Sequence, residues 1–279
     1  MSASSRLSHL CALGAIGLWA SLATLGVSLS AVPPFLLTGL SLLIGSVPAW
    51  PRWREWRVPP GTLALGLWGL FGYHFLLFIA LRHAPPVEAN LVNYLWPLLI
   101  VVLSPLLLPG MRLRPLHLVA AGAGFAGAAL AIVGGRSLSG DWSWGYLAAL
   151  GAAFMWASYS LMTKRVAAFP TSVIGLFGLV SGLLSLLCHL LLEPAVTLAA
   201  RDWGLIVVMG LGPLGAAFFL WDKALKTGDP RTIGILSYLT PLASTTLLLL
   251  VTGRALTAWT GAAALLIVGA ALVGMRARG

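Results

Sequence analysis

The chain has 279 residues, of which 59% are hydrophobic and only 9% are charged, and its formal net charge is +10. Soluble domains carry roughly 25% charged residues, so this composition excludes a soluble globular protein and indicates an integral membrane protein. The basic residues lie in short segments between apolar runs instead of forming one basic face, which argues against nucleic acid as a partner.

Ten apolar runs follow one another along the chain. Each has roughly the 20 residues that a helix needs to cross a bilayer. Prolines and glycines stand at their ends, where a missing N–H group or a bend costs little. The sequence therefore predicts an all-α integral membrane protein with ten transmembrane helices, at 8–27, 32–50, 61–82, 87–108, 115–134, 145–165, 172–192, 203–226, 231–252 and 257–275.

The distribution of Lys and Arg predicts the orientation of these helices. Cytoplasmic loops of membrane proteins are enriched in both residues. If the N-terminus is inside, all but four of the 17 basic residues lie on inner segments, and the four outer ones are Arg82, Arg136, Arg201 and Arg254. The pattern predicts that both termini are cytoplasmic.

The two halves of the chain repeat each other. Residues 13–21 match 150–158 with six identities in nine, and residues 80–98 match 224–242. The first helix thus pairs with the sixth and the fourth with the ninth, so each half holds five helices. Because five is odd, the second half enters the membrane in the opposite sense. We predict two domains, 1–136 and 141–279, in an inverted-topology repeat, which suits alternating access.

One stretch in each half combines a polar residue, an aromatic residue and a proline: Asn93-Tyr94-Leu95-Trp96-Pro97 and Ser237-Tyr238-Leu239-Thr240-Pro241. Proline inside a helix removes a hydrogen bond and bends the helix. Interrupted helices at corresponding positions of two halves indicate a transporter binding site. We predict gating bends at Pro97 and Pro241. A third is predicted at Pro213, in a glycine-rich run that could instead serve close helix packing.

Few ionisable residues fall inside the predicted helices. His74 lies near the middle of the third, whereas every Asp and Glu falls in a loop or at a helix end. An ionisable residue in a membrane is a candidate for function; the alternative is a neutral histidine bonded to a neighbouring helix. Because no Asp or Glu lies in the middle of a predicted helix, a proton relay through acidic residues is disfavoured, and facilitated transport is favoured.

Aromatic and small polar residues inside the helices could line an apolar cavity with a few placed polar groups, the usual make-up of a small-molecule site. Packing in the core is the alternative for each of them. The candidates for the lining are Trp19, Tyr73, His74, Asn90, Asn93, Tyr94, Trp96, Trp156, Ser158, Tyr159, Ser237 and Tyr238.

Motifs for catalysis and cofactor binding are weak or missing. The sequence has no phosphate-binding loop, metal-ligand cluster or carboxylate pair, so we expect no cofactor, no metal and no enzyme activity. Ser181 and His189 could suggest an intramembrane serine protease, but Leu179 stands where such a motif has glycine. An intramembrane enzyme or an assembly subunit remains the alternative from another class.

Several motifs resemble the EamA group of the drug/metabolite transporter superfamily over essentially the whole chain. They are Trp-Ala-Ser in the first helix of each half and Tyr-Leu-x-Pro-Leu in the fourth. The stretches Tyr73-His74, 93–97 and 156–158 are most similar to members that export aromatic amino acids.

The resemblance implies a transporter of the bacterial inner membrane. It would export Phe, Tyr, Trp and other amino acids through a central cavity. We expect a monomer surrounded by lipid. The alternative is a carrier of the same fold for a purine, sugar phosphate or drug. By matching motifs, the resemblance places the cavity lining on Tyr73, His74, Tyr94, Trp96 and Trp156.

Overall fold

The computed structural model describes residues 3–135, 137–138, 141–253 and 257–276, and all regular secondary structure in them is helical. Within these ranges, nine helices are long and apolar enough to cross a membrane, as expected of a multi-pass membrane protein. A further helix of 18 residues lies between the fifth and sixth of them. In chain order they are α1 (Ser4–Ser28), α2 (Pro34–Trp56), α3 (Pro60–His83), α4 (Pro86–Leu107), α5 (Pro115–Val133), α6 (Gly145–Met162), α7 (Val173–Leu192), α8 (Ala200–Thr227), α9 (Pro230–Val251) and α10 (Ala258–Arg276).

Each apolar run of the sequence overlaps one of these helices. The largest difference in bounds is at the end of α2, which continues beyond residue 50 as the 3₁₀ helix Val47–Trp56. Helix α6 is not among the nine, and it carries Trp156, Tyr159 and two serines. Arg136, Arg254 and Arg278, three of the basic residues behind the predicted orientation, lie outside the described residues, as do the domain ends at 136 and 277–279.

Proline begins five of the helices. Pro34, Pro60, Pro86, Pro115 and Pro230 occupy the first positions of α2, α3, α4, α5 and α9. The first N–H groups of a helix have no partner within it, so proline loses nothing there, and its fixed φ already suits the helix. The prolines therefore set where these helices start.

Among the described residues, two-residue turns interrupt α1, α4 and α9. In α1 a turn at residues 20–21 separates two helical segments that end at Trp19 and begin at Leu22, while turns at residues 94–95 and 237–238 divide α4 and α9. The last two interruptions come before Pro97 and Pro241 and not at them. Each proline lies in the first turn of the segment that follows, where its missing N–H is tolerated.

Helices α3 and α8 each contain one π-helical turn, at Trp68–Gly72 and Gly212–Ala216. The two turns are 144 residues apart, the same separation as Pro97 and Pro241. The bend predicted at Pro213 thus takes the form of a π turn. Such turns are rare and often occur at functional sites.

Helices α2 and α8 touch backbone to backbone through glycines. A Cβ atom added at Gly45 would lie 2.7 Å from the carbonyl oxygen of Gly210 and 2.8 Å from the Cα of Gly215. These are backbone atoms, so they cannot move aside as a flexible side chain could. The two helices would have to separate to admit even a methyl group.

We therefore expect Gly45→Ala to lower the free energy of unfolding by about 1–3 kcal/mol, the usual cost of overpacking. The measurement is the thermal unfolding midpoint of the purified protein in detergent. Gly17→Ala is the matched control, because a Cβ atom at Gly17 meets nothing within 4 Å. Equal midpoints for the two variants would contradict the close contact.

Candidate functional site

A cavity of about 860 Å³ lies between the helices and is walled by α1, α2, α3, α4, α6, α8 and α9. It extends to Ser30 and Pro34 at one side and to Leu81 and Pro86 at the other. These residues stand at the ends of α1 and α3 and the beginnings of α2 and α4, an end that the basic residues predict to be outside. The volume suits a small-molecule ligand.

Trp156 of α6 is the centre of an aromatic cluster at the deep end of this cavity. Its ring centroid lies 5.5 Å from that of Tyr73, 5.8 Å from that of Trp19 and 5.6 Å from that of Phe218. These separations are typical of aromatic rings in contact. We call the cluster the aromatic floor; its members are Trp19, Tyr73, Trp96, Trp156, Phe218 and Trp221.

Beyond the aromatic floor, an ion pair and several hydrogen bonds hold the C-terminal end of α8 in place. The Lys226 ammonium pairs with Asp222 at 2.7 Å and donates to the Phe169 carbonyl oxygen at 2.8 Å. The Thr171 hydroxyl also donates to Asp222. Ser8 of α1 donates to the Ala224 carbonyl oxygen of α8. Asp222 was expected at a helix end, and the structure buries it there with these partners.

Three polar side chains of the cavity wall keep hydrogen-bonding capacity. Asn93 donates through Nδ2 to the Tyr73 hydroxyl at 3.3 Å, and its buried Oδ1 has no partner among the described residues. The buried Thr240 hydroxyl has none there either. His74 Nδ1 lies 2.6 Å from the Leu70 carbonyl oxygen. Because that oxygen can only accept, Nδ1 carries the proton and Nε2 is left for a ligand.

The structure brings most of the candidates from the sequence together. The residues that line the cavity are Trp19, Tyr73, His74, Asn90, Asn93, Tyr94, Trp96 and Trp156. They come from α1, α3, α4 and α6, so residues up to 137 positions apart meet in one wall.

Four other candidates lie outside the lining. Ser158 donates to the Phe154 carbonyl oxygen of its own helix, and Ser237 donates to that of Ile233 in the same way. Tyr159 contacts Trp156 at 5.3 Å but fills the space above Gly69, and Tyr238 fills that above Gly124. These side chains pack between helices.

The predicted gating prolines do not line the cavity, and all three are buried. Pro213 nevertheless touches the site, because its carbonyl oxygen accepts a hydrogen bond from Trp19 Nε1 at 3.1 Å. The π turn of α8 is thereby joined to the aromatic floor.

Sequence reasoning missed several lining residues from α3, α8 and α9. The repeat contained a signal for two of them: Phe218 lies 144 residues after His74, and Thr240 lies 144 after Trp96. The other missed residues of these helices are neither polar nor aromatic, except for Phe78 and Ser244, so nothing in the sequence distinguishes them. The missed residues include Leu77, Phe78, Met209, Phe218, Thr240 and Ser244.

The EamA-like transporter family model matches residues 6–133 and, a second time, residues 143–275. The chain belongs to the EamA-like transporter family. Membership makes this EamA protein a membrane transporter and not an enzyme.

Two relatives of this EamA chain are aromatic amino acid exporters named YddG. The one from Ancylobacter novellus is 43% identical, with 95% of this chain and 96% of the relative covered. The one from Escherichia coli K12 is 28% identical, with 86% and 84% covered. A crystal structure of a 42% identical protein superposes with a TM-score of 0.92, covering 98% of this EamA chain and 99% of the other.

Proposed function

We propose that this protein exports aromatic and other neutral amino acids across a bacterial inner membrane, with both termini in the cytoplasm. The observation that carries the proposal is the cavity itself, whose deep end is a cluster of aromatic rings bordered by an amide, a hydroxyl and an imidazole. The aromatic side chain of a substrate would pack on the rings, and its polar end would meet the polar groups. The names of the two exporter relatives support the same substrate class.

We further propose that all ten helices cross the membrane and that domains 1–136 and 141–279 form an inverted repeat. The two matches of the family model support this, as do the π turns 144 residues apart. A pair of acidic residues adds support. Glu193, after α7, accepts hydrogen bonds from the first N–H groups of α2, and Glu55, at the end of α2, accepts one from Ser172 just before α7.

Such a pair of halves suits alternating access. The cavity reaches the predicted outer ends of the helices, while on its other side lie the aromatic floor and the contacts that Lys226 and Asp222 make with Phe169 and Thr171. Because inverted halves can exchange their conformations, the same protein can open the other end in turn. Described lining residues include no Lys or Arg, which disfavours a sugar phosphate as the substrate.

The test is flux in proteoliposomes that hold the purified protein. With unlabelled phenylalanine inside, radiolabelled phenylalanine should accumulate transiently by counterflow, and tryptophan and tyrosine should compete with it. A purine and a sugar phosphate should not compete. No counterflow above protein-free liposomes, or competition by the sugar phosphate alone, would overturn the proposed function.

A further inference from the structure

We propose that the cavity recognises the amino group of its ligand and not the carboxylate, so that aromatic primary amines without a carboxylate are also ligands. The inference rests on the proposed function, because it names the chemical group that the same cavity selects. It follows from three features of the wall: its charge, its free acceptors and its aromatic rings.

The first feature is the charge of the wall. The described residues that line the cavity include no Lys, Arg, Asp or Glu. Any charged group taken from water into an apolar site needs an opposite charge or several strong hydrogen-bonding partners to offset its desolvation, and for a carboxylate those partners must be donors. Here it would find only neutral hydroxyl, amide and indole donors. A carboxylate is therefore better placed towards the open end, in contact with water.

The second feature is a set of acceptors without partners. Asn93 is 4% exposed, and its Oδ1 has no hydrogen-bond partner among the described residues. Its Nδ2 donates to the Tyr73 hydroxyl, and this bond sets the orientation of the amide in which Oδ1 has no partner. A neutral His74, with Nδ1 bonded to Leu70, offers Nε2 as a second acceptor, and the Thr240 oxygen is a third. A primary ammonium has three N–H donors.

The third feature is the aromatic floor beside these acceptors. Tyr73 links the two parts, because it bonds Asn93 and its ring lies 4.9 Å from that of His74 and 5.5 Å from that of Trp156. The faces of Trp and Tyr rings attract cations through their quadrupole, and they offer nothing comparable to an anion. The floor thus favours an ammonium over a carboxylate in the same place.

Binding to the purified protein in detergent, measured by titration calorimetry at pH 7, tests the inference. Three ligands share one ring: phenylalanine, 2-phenylethylamine without the carboxylate, and N-acetylphenylalanine without the free amine. We expect the amine to bind within about tenfold of phenylalanine and the acetylated ligand to bind at least about tenfold more weakly than either, because it lacks the charged donor. Asn93→Leu should weaken phenylalanine and the amine about tenfold and leave the acetylated ligand unchanged.

Ser181→Ala is the control, since Ser181 also has a buried oxygen without a partner among the described residues but lies outside the cavity wall. It should change no affinity. The ligand series on the unaltered protein decides the matter even if a variant fails to fold. Binding of phenylalanine and N-acetylphenylalanine but not of the amine would overturn the inference and leave the proposed function standing. Binding of the amine but not of phenylalanine would overturn the proposed function and leave the inference standing. If none of the three ligands binds, both the inference and the proposed function are overturned.

Discussion

Trp156→Ala should lower the rate of phenylalanine counterflow at least about tenfold. The ring of Trp156 touches those of Trp19, Tyr73 and Phe218, so its removal opens the centre of the aromatic floor. A contact between aromatic rings is worth about 0.5–1.5 kcal/mol beyond its buried area, and about 1.4 kcal/mol is tenfold in affinity. A substrate that loses one ring contact and the shape of the floor should lose at least that much. Counterflow in proteoliposomes measures the effect.

Trp142→Ala is the matched control, because Trp142 is 75% exposed and does not line the cavity. Its counterflow should equal that of the unaltered protein. Trp156→Phe keeps an aromatic ring and should fold and transport at an intermediate rate. Full transport activity of a folded Trp156→Ala variant would show that the aromatic floor is not part of the transport site.

The second large effect is expected on stability. Glu193→Ala should lower the free energy of unfolding by about 3 kcal/mol, the upper end of the range for hydrogen bonds to a charged group, because several donors lose their acceptor at once. Its carboxylate is fully buried and accepts from the N–H groups of Phe35 and Leu36, from Arg82 at 3.1 Å and from His189 at 3.0 Å. Without it the start of α2 loses its cap. Thermal unfolding in detergent measures the loss.

Glu55→Ala is the corresponding change in the other half. Glu55 accepts one hydrogen bond, from the Ser172 hydroxyl, and its side chain is exposed. Hydrogen bonds at exposed positions contribute little, so the unfolding midpoint should fall by much less. A loss as large as that of Glu193→Ala would contradict the contribution assigned to the buried cap.

The sequence predicted the helices because their signals are local. Apolar runs of the right length and prolines at their starts gave the helix positions within a few residues. The π turns in α3 and α8 could not be read in the same way. Gly69 and Gly72 mark the first of them, but glycines also mark ordinary close packing, and both meanings occur here: a Cβ at Gly69 would clash with the Tyr159 ring.

The sequence predicted only part of the site, because spacing along one helix is a local signal and contacts between helices are not. Trp156 and Tyr159 are three residues apart, a spacing that places them on one helix face, and their rings are in contact. Which part of that face borders a cavity depends on the neighbouring helices, so Tyr159 packs against Gly69 instead. Apart from its position 144 residues after His74, Phe218 looks like any apolar helix residue, and its contact with Trp156 is visible only in the fold.

Substrate protection of a residue in the wall tests the central claim, that amino acids cross through this cavity. Ser244→Cys, in a chain whose Cys11 and Cys188 are replaced by alanine, places one thiol in the lining. We predict that a membrane-impermeant thiol reagent applied to the outside of intact cells labels it, and that saturating phenylalanine slows the labelling severalfold. Trp142→Cys in the same background should react at a rate that phenylalanine does not change. Labelling of the Ser244→Cys thiol at a rate indifferent to phenylalanine would contradict the account.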